Sequence, residues 1–250
     1  MSNGRIIIAL FTALLLLTVS LPASAEDKAE EPPRWKGDVS LGLSLARGNT
    51  QSSNFSFSFA AGGPVGKNLM LENKGIYLFA EADDKTSAES GLIASRLNWQ
   101  HTDRLFSYYE LQADRDRFKN YSSRFMPAVG VGYKVVAQES VSLILDAGLS
   151  QVLTNFYDAT DSESYTGLKG GQALVWKISK TSEFNEKAEI TGDVSDLGRY
   201  FLRLEANLVT AITNSWAVKL TVIDTYDSRP VGLGIKENDI VFIAGISRKF

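Results

Sequence analysis

The sequence has almost none of the two side chains, histidine and cysteine, that ionise most readily near neutral pH. His101 is the single histidine and cysteine is absent, which excludes thiol catalysis and leaves too few ligands for a zinc site. A catalytic serine needs a histidine within hydrogen-bond reach as its base. His101 stands beside Asp103 in a predicted short turn, where a surface role is the simpler interpretation. We predict no catalytic residue, no metal site and no cofactor.

Two charged segments could bind ions. Asp158, Asp161 and Glu163 form an acidic loop, but the spaced calcium-loop pattern with its central glycine is missing, which favours a solvated loop. Four basic residues surround another predicted loop: Arg115, Arg117, Lys119 and Arg124. They could hold lipopolysaccharide phosphates. The interleaved Asp114 and Asp116 favour local pairing instead.

A larger set of charged residues alternates with apolar ones at a spacing of two: Arg96, Glu110, Asp114, Arg124, Asp146, Glu189, Arg203 and Glu205. This spacing places them on one face of β-strands, and in a closed barrel that face becomes the lumen. Bulky residues on the same face would narrow it: Met70, Phe106, Tyr108 and Phe201. Both signs of charge are mixed, so two interpretations stay open. The charges could fill the interior as ion pairs, or they could line a weakly selective aqueous pore.

Period-two alternation runs through almost the whole chain after residue 34, with little helical periodicity. It predicts twelve strands, most of them long enough for a tilted membrane crossing of about 9–11 residues, at 35–46, 53–61, 69–81, 89–100, 104–114, 124–137, 140–153, 166–178, 183–195, 199–212, 215–226 and 239–250. Asn73 and Gln172 would face lipid in this register, which predicts a β-bulge or a misplaced boundary near each.

The predicted connections differ between the two ends of the strands. Those at one end are short, such as Gln138-Glu139 and Thr213-Asn214, and those at the other are longer, such as 154–165 and 227–238. Short periplasmic turns and long outer loops are typical of outer-membrane barrels. We therefore predict both chain termini at the periplasmic end.

Aromatic residues support this orientation. All four tryptophans lie at predicted strand ends on the short-turn side, as membrane-interface residues would: Trp35, Trp99, Trp176 and Trp216. Phe250 closes an amphipathic last strand. A terminal aromatic residue there resembles the signal that barrel-assembly machinery recognises.

The first 25 residues predict a signal peptide. Arg5 precedes an apolar run from Ile6 to Val19, and Ala23-Ser24-Ala25 supplies a small-residue cleavage site. A charged, proline-containing lead follows at 26–34, and the predicted barrel occupies 35–250. Without Arg5 the remaining chain has 25 basic and 29 acidic side chains. This balance does not suggest a nucleic-acid partner.

These patterns together predict an all-β protein, a transmembrane antiparallel up-and-down β-barrel of about twelve strands in the outer membrane. In lipid every backbone polar group must be paired, which a closed sheet achieves. We expect a non-enzymatic protein, either a narrow weakly selective channel or a sealed envelope protein. Its expected partners are outer-membrane lipids, lipopolysaccharide and the barrel-assembly machinery. The alternatives are an envelope enzyme acting on lipid or peptide, and a soluble periplasmic β-barrel that binds an apolar ligand.

Two segments carry a family resemblance. The pattern Trp35-x-Gly37-x-Val39-x-Leu41-Gly42, followed by Gly48-Asn49-Thr50, resembles the opening of the salt-induced outer membrane protein family. The segment Gly130-Val131-Gly132-Tyr133 is similar to that family's middle region. The resemblance spans most of the chain after the signal peptide. It implies an outer-membrane barrel linked to salt or osmotic stress, and it implies no catalytic residues.

Overall fold

A computed structural model describes residues 35–46, 52–82, 85–158, 162–232 and 234–250 of the chain. The predicted signal peptide 1–25, the lead 26–34, the Gly48-Asn49-Thr50 turn and Asp161 of the acidic loop lie outside these residues. Over the part of the chain that is described, no helix is long and apolar enough to cross a membrane.

The described residues form twelve antiparallel strands, each hydrogen-bonded to its neighbours in the sequence, and β1 pairs with β12 to close a barrel. The strands are β1 Lys36–Ala46, β2 Ser52–Gly66, β3 Leu69–Ala82, β4 Lys85–Gln100, β5 Leu105–Asp116, β6 Tyr121–Ala137, β7 Val141–Phe156, β8 Glu163–Lys177, β9 Ser182–Asp193, β10 Asp196–Ala211, β11 Trp216–Asp227 and β12 Asn238–Lys249. The predicted all-β fold, its closure and its strand number are confirmed.

The barrel carries its apolar side chains outside and its charged ones inside. On β5, Tyr109 and Leu111 are 56% and 55% exposed, whereas Tyr108 and Glu110 are 1% and 3% exposed. A water-soluble domain buries its apolar face instead. An apolar exterior on a closed sheet is stable in lipid, where all backbone groups are paired between strands. The fold is that of a transmembrane β-barrel.

The strands are longer than predicted, and the loops are correspondingly shorter. The connection predicted at 154–165 spans only 157–162, and β4 begins at Lys85 rather than at residue 89. β2 continues to Gly66, past Gly62-Gly63-Pro64, because a shift of register between Pro64 and Gly66 accommodates the proline. The predicted contrast between short and long connections holds clearly only at 157–162 and 228–237. The sequence pattern did not predict these extensions because their residues are mostly polar. A strand segment beyond the lipid does not need an apolar face, so it lacks the alternation that identifies a strand.

No β-bulge lies at Asn73 or Gln172, whereas the other predicted possibility, a misplaced boundary, applies to β8, which begins at Glu163 rather than at residue 166. Asn73 pairs with Ala61 and Ser95, and Gln172 pairs with Leu145 and Ala188, all without a shift of register there. Gln172 Nε2 donates a hydrogen bond of 2.9 Å to the Glu186 carboxylate on the neighbouring strand. An outward polar side chain with a cross-strand partner therefore replaces the expected defect.

The seam between β1 and β12 is short. Its residue pairs run from Asp38 and Lys249 to Gly42 and Gly245, five in all, whereas β11 and β12 pair over eleven. Gly37 and Phe250 extend the seam at the chain terminus, each donating its N–H to the other's carbonyl at 3.1 and 3.0 Å. The last residue of the chain thus takes part in closing the barrel.

The barrel has a terminal end and a loop end. The terminal end is where β1 begins and β12 ends, and the loop end is the opposite one, which carries the connections after β1, β3, β5, β7, β9 and β11.

Candidate functional site

The lumen is the candidate site, because alternation along the strands directs the charged residues into it. All eight charged residues singled out from the sequence have side chains pointing inward, on β4, β5, β6, β7, β9 and β10: Arg96, Glu110, Asp114, Arg124, Asp146, Glu189, Arg203 and Glu205. The structure gathers six of them into two clusters. Arg203 and Glu205 stay apart, paired with each other on β10 at 3.5 Å.

The inner cluster consists of Arg96, Glu110, Asp146, Lys169 and Glu189. Arg96 Nη1 and Nη2 lie 3.3 and 3.4 Å from carboxylate oxygens of Glu110 and Asp146. Lys169 Nζ contacts Glu110 and lies 3.0 Å from Glu189 Oε1. Each buried charge therefore has a partner of opposite sign, as burial at low dielectric requires.

The inner cluster reaches across the whole lumen. Lys187 Nζ lies 3.0 Å from Glu189, and Lys74 Nζ lies 3.9 Å from the same carboxylate. Lys74 is on β3 and Glu189 on β9, half the barrel apart in a closed sheet of twelve strands. Side chains from opposite walls thus approach each other at this level, and the lumen is constricted there.

Two aromatic rings fill the space between the inner cluster and the terminal end. The Arg96 guanidinium carbon lies 3.7 Å from the centroid of the Tyr108 ring and 6.0 Å from that of Phe106. A methyl group at Gly130 would lie 2.6 Å from the Tyr108 ring, and one at Gly132 would overlap the Phe106 ring. These glycines allow the rings to lie flat against the wall.

An outer cluster surrounds Arg124, nearer the loop end. Arg124 Nη2 lies 2.9 Å from the Asp114 carboxylate, and its guanidinium carbon is 4.5 and 4.3 Å from the ring centroids of Tyr121 and Phe201. Phe201 projects from β10. Arg124 is therefore held by charge pairing and by two cation–π contacts at once.

The β5–β6 turn, residues 117–120, closes over the outer cluster. Lys119 Nζ lies 3.2 Å from the Asp239 carboxylate on β12 and hydrogen-bonds Thr225 on β11. Asn120 has a φ of 65°, and its side chain donates to the Val231 carbonyl at 3.1 Å. Tyr121 donates its hydroxyl to Asp227. This turn therefore bridges the mouth of the barrel from β5–β6 to β11–β12.

A cavity of about 220 Å³ remains on the side of the lumen formed by β1–β3 and β9–β12. Its charged lining residues are Asp38, Lys74, Glu205 and Lys219, accompanied by the amides and hydroxyls of Asn185, Asn207, Thr221, Ser40, Ser56 and Ser58. At the outer cluster the free space falls to cavities of about 50 and 20 Å³. The lumen is thus an asymmetric polar chamber with constrictions.

Sequence reasoning missed two lumen residues, Lys169 and Lys119. Lys169 stands in a strand that alternates poorly, with glycines at 167, 170 and 171, although the outward Leu168 beside it was a usable signal. Lys119 was expected on a loop surface. Its side chain turns inward only because the β5–β6 turn folds over the mouth, which no local pattern encodes.

The other candidate chemistries find little support. His101 Nε2 lies 2.9 Å from Ser107 Oγ, and among the described residues no hydrogen bond joins His101 to an acidic side chain. Glu163 pairs with Arg199 on β10. In the described part of the chain no group of three or more His, Cys, Asp or Glu residues is placed to hold a metal ion.

The tryptophans and Phe250 all lie at the terminal end. Trp99 and Trp176 are the penultimate residues of β4 and β8, Trp216 begins β11, and Trp35 directly precedes β1. Their exposed fractions range from 36% to 49%. Phe250 is 64% exposed and follows β12. These rings form one level around the outside of the barrel.

Solved outer-membrane barrels have a similar fold. A NanC porin matches with a TM-score of 0.52 and 11% identity, over 86% of this chain and 100% of that one. The KdgM porin matches at 0.46 and 9%, over 86% and 99%. The CymD monoaromatic hydrocarbon channel matches at 0.40 and 8%, over 89% of each chain. At these identities the likeness concerns the fold alone.

Sequence comparison identifies the family. The search of curated proteins gave no match. One family, described as "Protein of unknown function, DUF481", matches residues 39–250, which takes in nearly all of β1 and every later strand. The barrel with its charged, constricted lumen therefore belongs to the DUF481 family.

Proposed function

We propose that this protein is a non-enzymatic outer-membrane barrel that provides a narrow, weakly selective path for small polar solutes. The main support for this proposal is the lumen itself, in which both signs of charge surround a polar cavity of about 220 Å³. A barrel that served only as a structural element could fill its interior with packed apolar side chains at less desolvation cost. Mixed charge favours weak selectivity, since neither ion sign meets a uniform field.

A sealed envelope protein is the second candidate, and two observations favour it. Lys74 and Glu189 approach each other from opposite walls, and the β5–β6 turn is tied to β11 and β12 at the loop end. The first constriction consists of side chains, and the second is a four-residue turn held in place by side-chain contacts. Small side-chain movements would open the path, so we favour the channel.

Single-channel recording in planar bilayers tests the proposal. We expect small step currents from the wild type, and Arg96→Ala should increase the conductance and shift ion preference towards cations, because it removes a positive charge from the constriction. Glu110→Ala should shift preference the other way. Arg248→Ala is a matched control, since Arg248 stacks on Trp216 outside the barrel with its guanidinium carbon 5.8 Å from the ring centroid.

The absence of step currents from the wild type and from both lumen variants would favour the sealed barrel. A change in ion preference on Arg248→Ala as large as that on Arg96→Ala would contradict the assignment of the pathway to the inner cluster.

We also propose that residues 1–25 direct export and are removed, and that the terminal end faces the periplasm. The apolar run after Arg5 supports the first part, and the ring of tryptophans supports the second. Phe250 would be read by the barrel-assembly machinery. A link to salt or osmotic stress is proposed on the sequence resemblance alone.

Contact with lipopolysaccharide would involve fewer residues than the basic cluster in the sequence suggests. Lys119 and Arg124 point into the barrel and are buried, which removes two of the four candidates. Arg115 and Arg117 both pair with Glu89, and the Arg117 side chain remains 61% exposed. We propose these two arginines as the phosphate contacts of the loop end.

A further inference from the structure

The polar cavity between β1–β3 and β9–β12 differs in kind from the charge clusters elsewhere in the lumen. Its four charged residues keep accessible surface inside the barrel: the side chains of Lys74, Asp38 and Glu205 are 30%, 26% and 24% exposed, and that of Lys219 is 16% exposed. In the inner cluster, Lys169 and Glu110 are only 7% and 3% exposed. The cavity charges are therefore accessible to a solute within the chamber.

The ion pairs at this cavity are also long. Lys219 Nζ lies 3.6 Å from Asp38, and Lys74 Nζ lies 3.9 Å from Glu189. The pair of Arg124 and Asp114 measures 2.9 Å. Ammonium and carboxylate groups in tight pairs lie about 2.7–2.9 Å apart. The two lysines at the cavity are thus weakly paired and retain donors for another acceptor.

The charges at the cavity balance. Two ammonium groups, of Lys74 and Lys219, face two carboxylates, of Asp38 and Glu205, so the formal sum is zero. An anion would attract the two ammonium groups but be repelled by the two carboxylates, and a cation would do the reverse. A solute that carries both an ammonium and a carboxylate group would find partners of opposite charge for each of them on the wall. The amides of Asn185 and Asn207 add neutral hydrogen-bonding groups.

The size of the cavity limits the solute. A cavity of about 150 Å³ holds a molecule of the size of benzene, so a volume of about 220 Å³ has room for a solute of about seven non-hydrogen atoms. The cavity is smaller than the pockets of about 300–1,000 Å³ that hold drug-sized ligands, which favours a small solute. Apolar wall residues, among them Ile76, Val209 and Ile243, would contact a short aliphatic segment between the charged ends.

We propose that this cavity is a binding site for small, net-neutral zwitterions of the amino-acid type. The carboxylate of the solute accepts hydrogen bonds from Lys219 and Lys74, and its ammonium group donates to Asp38 and Glu205. The inference rests on the proposed channel function, because it makes the cavity a station on the solute path. It names the class of solute that the path accepts.

Isothermal titration calorimetry on the folded barrel in detergent tests this site with three probes of matched length. γ-Aminobutyrate carries both charges, butyrate carries only the negative one and butylammonium only the positive one. We expect γ-aminobutyrate to bind roughly tenfold more tightly than either analogue, the factor expected for one additional hydrogen bond to a charged group. Equal affinity for all three probes, or no heat with γ-aminobutyrate, would overturn the proposal.

Substitutions of cavity residues test whether γ-aminobutyrate binds at this site. Lys219→Gln and Glu205→Gln should each weaken γ-aminobutyrate binding roughly tenfold. Lys134→Gln is the matched control, because Lys134 faces the lumen on β6 and bonds Gln100 at 3.2 Å, away from the cavity. An equal loss on Lys134→Gln would contradict the site. If a variant fails to fold, the comparison of the three probes on the wild type still decides.

The binding site and the channel function can be contradicted independently of each other. Step currents without γ-aminobutyrate binding would leave the channel and remove the zwitterion site. Binding without step currents would keep the site and remove the channel.

Discussion

At the residue scale, the inward glycines are as important as the charges. Tyr108 lies over the paired Gly130 and Gly148, and its ring in turn supports the Arg96 guanidinium. Without the two glycines the ring would have to occupy the middle of the lumen. The position of the inner cluster therefore depends on residues that carry no charge.

Gly148→Ala should lower the free energy of unfolding by about 1–3 kcal/mol, the usual cost of overpacking. The added methyl group would lie 2.7 Å from Tyr108 Oη and 2.9 Å from the Gly130 Cα atom, and the backbone neighbour cannot rotate away. Urea unfolding of the barrel in lipid vesicles measures the loss.

Gly91→Ala is the matched control for that prediction, since the nearest neighbour of its methyl group would be the Tyr77 ring at 3.6 Å. We expect a change of less than about 0.5 kcal/mol there. Similar losses for both variants would contradict a special role for the wall beneath Tyr108.

The direction of a side chain could be predicted from the sequence, but its partner could not. Period-two alternation is local, so it shows that Glu110 and Glu189 point the same way relative to their strands. Whether Lys169 joins them depends on how strands three or four apart in the barrel are staggered. The stagger is a property of the closed sheet, which no window of ten residues contains.

At the scale of elements, the β5–β6 turn is the part that departs most from expectation. Residues 115–123 looked like an outer loop rich in charge, but β5 and β6 continue through most of this segment. Only residues 117–120 form the turn, and Asn120 takes the positive φ of 65° that asparagine tolerates better than most residues. The tightness of this turn directs Lys119 inward.

Lys119→Ala should increase single-channel conductance or the frequency of openings, because it removes the contacts of the turn with Asp239 and Thr225. Arg117→Ala is the matched control. Arg117 lies in the same turn but pairs with Glu89, with N and O atoms 3.5 Å apart. Identical recordings from the two variants would show that the turn does not limit the path.

At the scale of the whole molecule, the protein is organised the opposite way from a soluble domain. Outward Phe242 and Ile246 are 77% and 54% exposed, while Ser247, between Ile246 and Arg248 on β12, is 1% exposed. The interior contains paired charges and hydroxyls, together with aromatic rings such as those of Tyr108 and Phe106. Such a molecule is stable only where lipid covers the exterior.

The unboiled protein should therefore require detergent and migrate faster in gel electrophoresis than the boiled protein, because the closed sheet stays compact until heat opens it. Phe250→Ala should reduce the fraction of this fast-migrating form in cells, if the terminal ring is read during assembly. Phe242→Ala, an exposed phenylalanine on the same strand, is the control.

Equal fractions for Phe250→Ala and Phe242→Ala would contradict an assembly role for the chain terminus. A protein that stays soluble without detergent would contradict the membrane fold as a whole.

The sequence by itself determined the number of strands and, where alternation is clear, the side on which each residue lies, because alternation is a local property of the strand. It also indicated the level of the tryptophans. Only the tertiary structure decided which charges meet, since Lys74 and Glu189 face each other from opposite walls of a closed barrel. It likewise decided that Lys119 turns inward and that the free space gathers beside β1 and β12. Contacts across a lumen depend on strand stagger and closure, and these arise only when all twelve strands are paired.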